Sequence, residues 1–148
     1  MAPVFPGSDP QVLEEISDLL HRVARRLRAR ANAELEPMGL TPAQARALRT
    51  LGRCDHAIRM SELADRLRIA RRSATSVVDE LVQRGLVRRT ADPTDRRATA
   101  LEVTPPGREA LGLLVEVRHR ALAELARDLT PAQLSSLRDV LAHLDAGR

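Results

Sequence analysis

Arginine side chains carry the clearest chemical signal in this sequence, and they are concentrated in one stretch. Residues 59–97 contain ten arginines and six acidic residues, a difference of four positive charges. That local excess equals the formal net charge of the whole chain, +4. The guanidinium group keeps its charge at all ordinary pH and can bind phosphate or guanine through two hydrogen bonds. The pattern therefore favours a face that binds phosphate groups.

A helix predicted over residues 71–84 carries polar side chains suited to reading base edges. Its apolar residues fall at helical spacing and would form a buried face: Ala74, Val77, Val78 and Leu81. The opposite face carries the candidate DNA-binding residues Arg71, Arg72, Ser73, Thr75, Ser76 and Asp79. Serine and threonine hydroxyls can bind several bases, whereas arginine binds phosphate or guanine. The alternative interpretation is an ordinary solvated helix face.

A β-hairpin is predicted directly after this helix, with strands over residues 86–90 and 98–103. Asp92 and Pro93 have the chemistry of a turn, and we expect Asp92 and Asp95 to structure it. The candidate DNA-binding residues of the hairpin are Arg88, Arg89, Arg96 and Arg97. A narrow minor groove has a negative potential that favours inserted arginines. The alternative is a solubilising loop in which the aspartates merely pair with the arginines.

The elements that must position these side chains are mainly helices. Ser61 is expected to cap a short helix that ends near residue 68, and this helix would form a helix-turn-helix with the next one. A short strand is possible over residues 58–60. Long amphipathic helices are predicted over residues 10–36 and 105–128.

Two further helices are predicted from matching start signals. Thr41-Pro42-Ala43-Gln44 and Thr130-Pro131-Ala132-Gln133 both have the sequence of a capping box with proline in the first turn. The first of these helices is expected to close at Gly52 and the second near residue 146. The predicted fold is mainly α with a small β-hairpin wing (α+β minor). It is a winged helix-turn-helix with dimerisation helices at the N- and C-terminal ends.

Several stretches of the sequence resemble the MarR family of bacterial transcription regulators. They are LTPAQ at 40–44, SELA at 61–64, RSATSVVDELVQRGLV at 72–87, DPTDRR at 92–97 and LEVTPPG at 101–107. The resemblance covers nearly the whole chain. Its most specific part is the wing with the Thr-x-x-Gly that follows, since a helix-turn-helix alone would be a weak signal.

The resemblance implies a homodimer that binds double-stranded DNA. Residues 10–36 and 105–146 would form a helical dimerisation domain, residues 41–103 the DNA-binding domain, and residues 1–9 a flexible arm. Recognition helices would enter successive major grooves of a palindromic operator, and wings would enter the flanking minor grooves. The dimer also has support from the residues, because the apolar stripes of the first and last helices exceed what a small winged module could cover.

The resemblance also assigns roles within the wing. The family pattern is Asp-x-Arg-Asp-x-Arg, and Asp92, Asp95 and Arg97 match its fixed positions. Thr94 stands where the family often has arginine, so one phosphate or intra-wing contact is expected to be missing. By analogy, Arg96 would enter the minor groove and Arg97 would buttress the aspartates.

The predicted function is therefore a sequence-specific transcriptional regulator, expected to act as a repressor. In this family DNA is often released when a small aromatic acid or similar lipophile binds between the dimerisation helices and the winged module. Phe5 is the only aromatic residue, so the pocket would be aliphatic, lined by leucines, valines and Met38, with arginine or histidine. No cofactor is predicted.

Other function classes find little support in the sequence. No glycine-rich phosphate loop, nucleophile elbow or close carboxylate pair indicates an enzyme. The four histidines lie at no metal-ligand spacing. Cys54 follows the second helix and is either a redox-sensitive thiol, with Arg53 and His56 nearby, or an incidental one, which the sequence favours. No apolar run approaches the roughly 20 residues that span a bilayer, and no secretion signal is evident. A bacterial cytoplasmic protein is expected.

Two alternatives to a sequence-specific regulator stay open at this point. The first is a non-specific architectural DNA-binding protein, for which a net charge of +4 is small. The second is a protein-interaction module that uses the winged fold without DNA. Retention on specific DNA in moderate salt would separate these, because non-specific electrostatic binding collapses as salt rises.

Overall fold

The computed structural model describes residues 9–92, 94–95 and 97–147. The chain divides into two compact units. The winged unit comprises residues 28–117, and the helical unit comprises the residues up to 27 together with those from 118 onward. The helices are α1 (Pro10–Ala33), α2 (Pro42–Gly52), α3 (Met60–Leu67), α4 (Arg71–Gln83), α5 (Pro105–Leu125) and α6 (Pro131–Ala146), with a 3-10 turn at Glu36–Met38. The strands are β1 (Ile58–Arg59), β2 (Val87–Ala91) and β3 (Thr99–Val103).

The winged unit contains a three-stranded antiparallel sheet and the helices that pack beside it. The strand order is β1-β3-β2. In this register Arg88 faces Glu102, and both Arg59 and Thr90 face Ala100. Helices α2, α3 and α4 pack against one another, and α2 also contacts β3. The large side chains that are fully buried in this unit are aliphatic: Leu48, Ile58, Leu63, Leu81, Leu101, Leu114, Val78 and Val87.

The predicted fold class is confirmed, as are both capping boxes. The Thr41 hydroxyl accepts a hydrogen bond from the Gln44 backbone N–H, and the Gln44 side chain accepts one from the Thr41 N–H. Thr130 and Gln133 make the same reciprocal pair at the start of α6. Proline follows each cap in the first turn, where its missing N–H costs nothing.

Several element boundaries differ from the predictions. The first helix ends at Ala33 and is followed by a 3-10 turn, after which Gly39 takes the left-handed conformation at φ +63°. Ser61 was expected to cap α3, but the N-cap is Arg59, two residues earlier, in the extended conformation and without a side-chain cap. Helix α5 ends at Leu125 rather than near residue 128, whereas α2 ends at Gly52 as predicted.

The helical unit exposes much of its apolar surface. Neither α1 nor α6 contains a buried residue among those described. The large exposed apolar side chains of this unit are Val12, Leu13, Ile16, Leu19, Leu20 and Val23 of α1, Leu122 and Leu129, and Leu134, Leu137, Val140, Leu141 and Leu144 of α6. No helix in the described ranges combines the length and apolarity needed to cross a membrane.

A threonine and a glycine close the base of the wing. The Thr104 hydroxyl donates to the Gly85 carbonyl at 2.6 Å and accepts from the Gly107 N–H at 3.1 Å. The Thr104 N–H donates to the Leu86 carbonyl at 3.1 Å. A Cβ on Gly107 would collide with the Leu86 carbonyl oxygen and lie 2.8 Å from a Val103 methyl. The Thr-x-x-Gly motif therefore lets α5 start in direct contact with the turn that precedes β2.

We expect Gly107→Ala to destabilise the winged unit by about 1–3 kcal/mol, because the Leu86 carbonyl is backbone and cannot rotate away. Gly112→Ala is the matched control in the same helix, since a Cβ there has no atom within 4 Å. That control should be neutral or stabilising by up to about 1 kcal/mol, from helix propensity alone. Thermal unfolding monitored by circular dichroism measures both. Equal effects of the two substitutions would contradict the close approach at Gly107.

Candidate nucleic-acid interface

Helix α4 buries one face and exposes the other, as its sequence periodicity predicts. Ala74, Val78 and Leu81 are fully buried, and Val77 is half-buried. The outward face carries all of the predicted polar residues in exposed positions: Arg71, Arg72, Ser73, Thr75, Ser76, Asp79 and Glu80. The N-terminal turns of α4 therefore present arginines and small hydroxyls to solvent, as a helix that enters a major groove requires.

Two of these hydroxyls are oriented by the helix backbone. Thr75 Oγ1 donates to the Arg71 carbonyl at 2.9 Å, and Ser76 Oγ donates to the Arg72 carbonyl at 3.4 Å. Because each hydroxyl proton points back along the helix, the oxygen lone pairs are left to accept. In the major groove the matching donors are the amino groups of adenine and cytosine.

The C-terminal half of α4 is held by polar contacts to other elements. The Gln44 side chain on α2 donates to the Glu80 carboxylate. The Arg84 guanidinium donates to the Gly39 carbonyl and, at 2.9 Å, to the Met38 carbonyl. These contacts join the end of α4 to the turn before α2 and to the first turn of α2.

Two of the four wing arginines predicted to bind DNA are in ion pairs on the sheet. Arg88 on β2 pairs with Glu102 on β3, its register partner, at 2.7 Å. Arg89 pairs with Asp79 on α4 at 2.5 Å. All four side chains remain at least 39% exposed, and exposed ion pairs of this kind contribute about 0–1 kcal/mol. Arg88 and Arg89 can therefore exchange a carboxylate for a phosphate at little cost.

The wing loop, which we define as residues 92–98, is organised around the carboxylate of Asp92. Its Oδ1 accepts hydrogen bonds from the Thr94 N–H at 2.7 Å, the Thr94 hydroxyl at 2.6 Å and the Asp95 N–H at 3.0 Å. Asp95 Oδ1 accepts from the Arg97 N–H at 3.0 Å. Arg97 is exposed. Arg96, which was predicted to enter the minor groove, lies outside the described residues, as does Pro93.

A guanidinium from another element completes this loop, and sequence reasoning missed it. Arg59 on β1 donates from Nε to Asp92 Oδ2 at 2.5 Å, and its Nη2 lies 4.0 Å from Asp95 Oδ2. Arg97 was expected to buttress the aspartates, but its described contact is made by its backbone. The two residues of the Arg59–Asp92 pair are 33 positions apart, so no local motif reveals it.

The pKa of Asp92 lies well below its usual range. The hydrogen bond from the Arg59 guanidinium is the largest cause, followed by those from the Thr94 side chain and backbone. Asp92 correspondingly raises the pKa of Arg59. Because both partners favour their charged forms, the pair stays ionised throughout the physiological range, and the loop keeps its acceptor.

A cavity of about 200 Å³ lies in the winged unit. Leu51, Leu101, Val103 and Leu111 supply apolar lining, and the polar lining comes from Cys54, Asp55, His56, Glu102 and Arg108. Met38, which was expected to line a pocket, does not line this cavity. The Cys54 thiol donates to the Thr50 carbonyl at 3.3 Å. Within the described part of the chain, no three His, Cys, Asp or Glu side chains are grouped as a metal site requires.

Comparison with known proteins identifies relatives along most of the chain. A family model described as the MarR family matches residues 38–98. The HTH-type transcriptional regulator MhqR of Bacillus subtilis is 32% identical over 108 residues, which cover 72% of this chain and 71% of that protein. The HTH-type transcriptional repressor MdtR of the same organism is 26% identical over 137 residues, covering 93% and 88%. The chain spans 63% of the length of a third relative, from Thauera aromatica, at 31% identity over 106 residues.

The fold matches solved structures as well. The chain superimposes on apo MarR from Escherichia coli with a TM-score of 0.79 and 26% identity, covering 86% of this chain and 94% of that one. These relatives and structural neighbours are transcriptional regulators rather than enzymes. With the exposed polar face of α4 beside an arginine-bearing wing, they establish that this chain belongs to the MarR family of DNA-binding transcriptional regulators.

Proposed function

We propose that the protein is a homodimeric, sequence-specific repressor that a small molecule releases from a palindromic operator. The observation that carries the proposal is the outward face of α4, where Arg71, Arg72, Ser73, Thr75 and Ser76 are all exposed. Hydroxyls of fixed orientation read base edges, and the flanking arginines bind phosphate or guanine. Asp79 and the wing residues Arg88, Arg89, Arg96 and Arg97 complete the proposed DNA-binding set, with Asp92 and Asp95 shaping the wing loop.

The homodimer is proposed from the exposed apolar side chains of α1 and α6. Contiguous apolar surface of this extent is unusual on a monomer and marks an interface. A second copy of the chain would cover it by two-fold symmetry and would duplicate the DNA-reading face. Residues 10–36 and 105–146 would then form the dimerisation domain, and residues 41–103 the DNA-binding domain.

Repression is proposed by analogy with MdtR, which is named as a repressor. For the effector, the cavity in the winged unit has a mixed lining, in which aliphatic side chains lie beside polar residues that include Arg108, His56 and Asp55. Glu102 in its lining is paired with Arg88, so its charge is balanced. Apolar walls beside an arginine suit a small lipophilic acid.

The alternative of a non-specific architectural protein fits the ion pairs poorly. Arg59, Arg66, Arg88 and Arg89 are each paired with a carboxylate. A surface that binds DNA by charge alone gains affinity from guanidinium groups that are free to neutralise phosphates. The exposed small hydroxyls of α4 add no charge, and their use is in reading bases.

A salt series on selected DNA tests the proposal and the residue roles together. A duplex enriched from a randomised pool by the unsubstituted protein should bind roughly a thousandfold more tightly than a shuffled duplex at physiological salt. Ser76→Ala or Arg72→Ala should change the preference among single-base variants of that duplex by about 1–3 kcal/mol. Arg97→Ala should weaken binding to every duplex and lower the slope of log K against log salt by about one. Fluorescence anisotropy measures all three effects.

The control for these variants is Arg127→Gln in the turn between α5 and α6, which removes an arginine that is 79% exposed and paired with Asp128. It should leave binding unchanged. Equal, steeply salt-dependent binding to selected and shuffled duplexes would contradict sequence-specific recognition and support the architectural alternative.

The homodimer is tested by a charge placed on its proposed interface. Ile16 is exposed on the apolar face of α1, and Ile16→Glu should convert the dimer to monomer because two carboxylates would be buried at a symmetric contact. Operator affinity should fall with it, since only one half-site is then held. Sedimentation velocity at micromolar protein reports the assembly state. Gln11→Glu, which adds the same charge at a polar position of α1, is the matched control, and a dimer that survives Ile16→Glu would exclude this face.

The effector site is tested with benzoate as the probe. Millimolar benzoate should release the selected duplex from the unsubstituted protein and raise its melting temperature. Arg108→Gln should bind DNA normally but lose most of the benzoate response, because its guanidinium would anchor the carboxylate. Arg118→Gln on the same helix, outside the cavity lining, is the control. Undiminished release from the Arg108 variant would place the acid elsewhere, and no response in any variant would reject a small aromatic acid as the ligand of this cavity.

A further inference from the structure

One arginine outside the hairpin contacts the wing loop at several points. Arg59 belongs to β1, a strand of two residues that pairs with β3 and not with β2. Its Nε donates to Asp92 Oδ2 at 2.5 Å, and its Nη2 donates to the Thr94 hydroxyl at 3.4 Å and lies 4.0 Å from Asp95 Oδ2. A single guanidinium therefore connects three residues of the wing loop to the strand that leads into α3.

The register of the sheet explains how the Arg59 side chain reaches the wing loop. Arg59 and Thr90 both face Ala100, from opposite sides of β3. Side chains of directly opposed residues lie on the same face of a sheet. Ala100 between them is fully buried and has only a methyl group. Because Ala100 on the central strand β3 is small, the Arg59 side chain has room to extend over β3 on this face of the sheet. It thereby reaches Asp92, the residue after β2.

The order of the wing loop depends on the carboxylate that Arg59 holds. The pairing of β2 with β3 ends at Ala91 and Thr99. Beyond it, the Asp92 N–H donates to the Ala98 carbonyl, and the Ala98 N–H donates to the Asp95 carbonyl. Most of the other described contacts of the loop converge on Asp92, whose side chain is only 9% exposed, and the Arg97 N–H donates to Asp95. A carboxylate so far withdrawn from water needs a cationic partner, and removal of that partner leaves a charge without compensation.

We propose that Arg59 is a positioning residue for DNA binding. It holds Asp92, and through Asp92 the backbone of residues 94 and 95, in the conformation that presents the wing arginines to the minor groove. This proposal rests on the proposed function, since it concerns how the wing meets DNA. Arg59 makes these contacts from β1, a different element from the hairpin that carries the loop.

Two simpler roles for Arg59 make different predictions. Its side chain is 44% exposed, so it could bind a phosphate directly. It could also act only by neutralising Asp92, which would otherwise repel DNA. Removal of Asp92 separates these roles from positioning. Loss of a negative charge strengthens DNA binding if Arg59 acts through charge alone, whereas it weakens binding if Asp92 organises the loop.

The experiment measures affinity and salt dependence for full-length Arg59→Gln, Asp92→Ala and the double variant. The probe is a duplex of about 30 base pairs, long enough for two half-sites, selected from a randomised pool by the unsubstituted protein. Each single substitution should lower affinity about tenfold, the loss expected when a charge-assisted hydrogen bond is removed. The double variant should be little worse than either single variant, and both single variants should lower the salt slope alike, because the same wing contacts are weakened. Arg127→Gln is the charge-matched control and should bind normally.

Other results would overturn the proposal. A salt slope lowered by about one in Arg59→Gln, with tighter binding by Asp92→Ala, would make Arg59 a direct phosphate contact. If the double variant regains affinity, Arg59 acts only by neutralising the charge of Asp92.

A measurement without DNA separates failure of this proposal from failure of the proposed function. The Thr94 and Asp95 backbone N–H groups both donate to Asp92 Oδ1. Their hydrogen exchange should accelerate in Arg59→Gln by about tenfold or more, while the buried amides of Leu48 and Val78 stay protected, which shows that the unit is folded. Unchanged exchange at residues 94 and 95 overturns the positioning role even where DNA binding is lost. If no duplex is enriched from the pool, the proposed function fails, and the exchange result still decides whether Arg59 orders the loop.

Discussion

The fixed orientation of α4 about its own axis is the constraint on which its exposed polar surface depends. Ala74, Val78 and Leu81 are fully buried, and α4 packs against both α2 and α3. A rotation by one residue, about 100°, would turn Leu81 toward solvent and Thr75 toward the core. Because burial of the aliphatic face forbids that rotation, the core of the winged unit decides which side chains reach outward.

Polar contacts then fix the positions of the last turns of α4 and of the wing loop. The Gln44–Glu80 hydrogen bond and the Arg84 contacts to the carbonyls of residues 38 and 39 hold the last turns of α4 to the start of α2. The Arg89–Asp79 pair joins α4 to β2, and Arg59 joins β1 to the wing loop. Helix and wing are thus connected through exposed charged side chains, whose ion pairs contribute less to stability than the apolar core does and can exchange partners without unfolding it.

Local sequence patterns predicted the elements and the orientation of α4, because helical periodicity and capping act within a few residues of the chain. The capping boxes at Thr41 and Thr130 are examples. The predicted start of α3 was wrong. Ser61 fits the local rule for an N-cap residue, yet the helix begins at Met60, directly after β1. The ion pairs could not be predicted, since Arg59 and Asp92 meet only through the order β1-β3-β2. A motif within the wing likewise cannot reveal a partner on another strand, so it pointed only to Arg97 and not to Arg59 as a partner of the aspartates.

The distribution of these pairs also bears on how the protein would tell one DNA sequence from another. The excess of arginine over residues 59–97 suggested a strong positive field, but several of those arginines are matched to carboxylates on neighbouring elements. When such an arginine turns to a phosphate, its former partner is left as an unpaired anion beside the DNA backbone. That cost applies to every sequence alike, so it lowers specific and non-specific affinity by the same factor. Base contacts from the exposed end of α4 would be gained only on a matching site, so the proposed discrimination between sequences rests on α4 rather than on the charges of the wing.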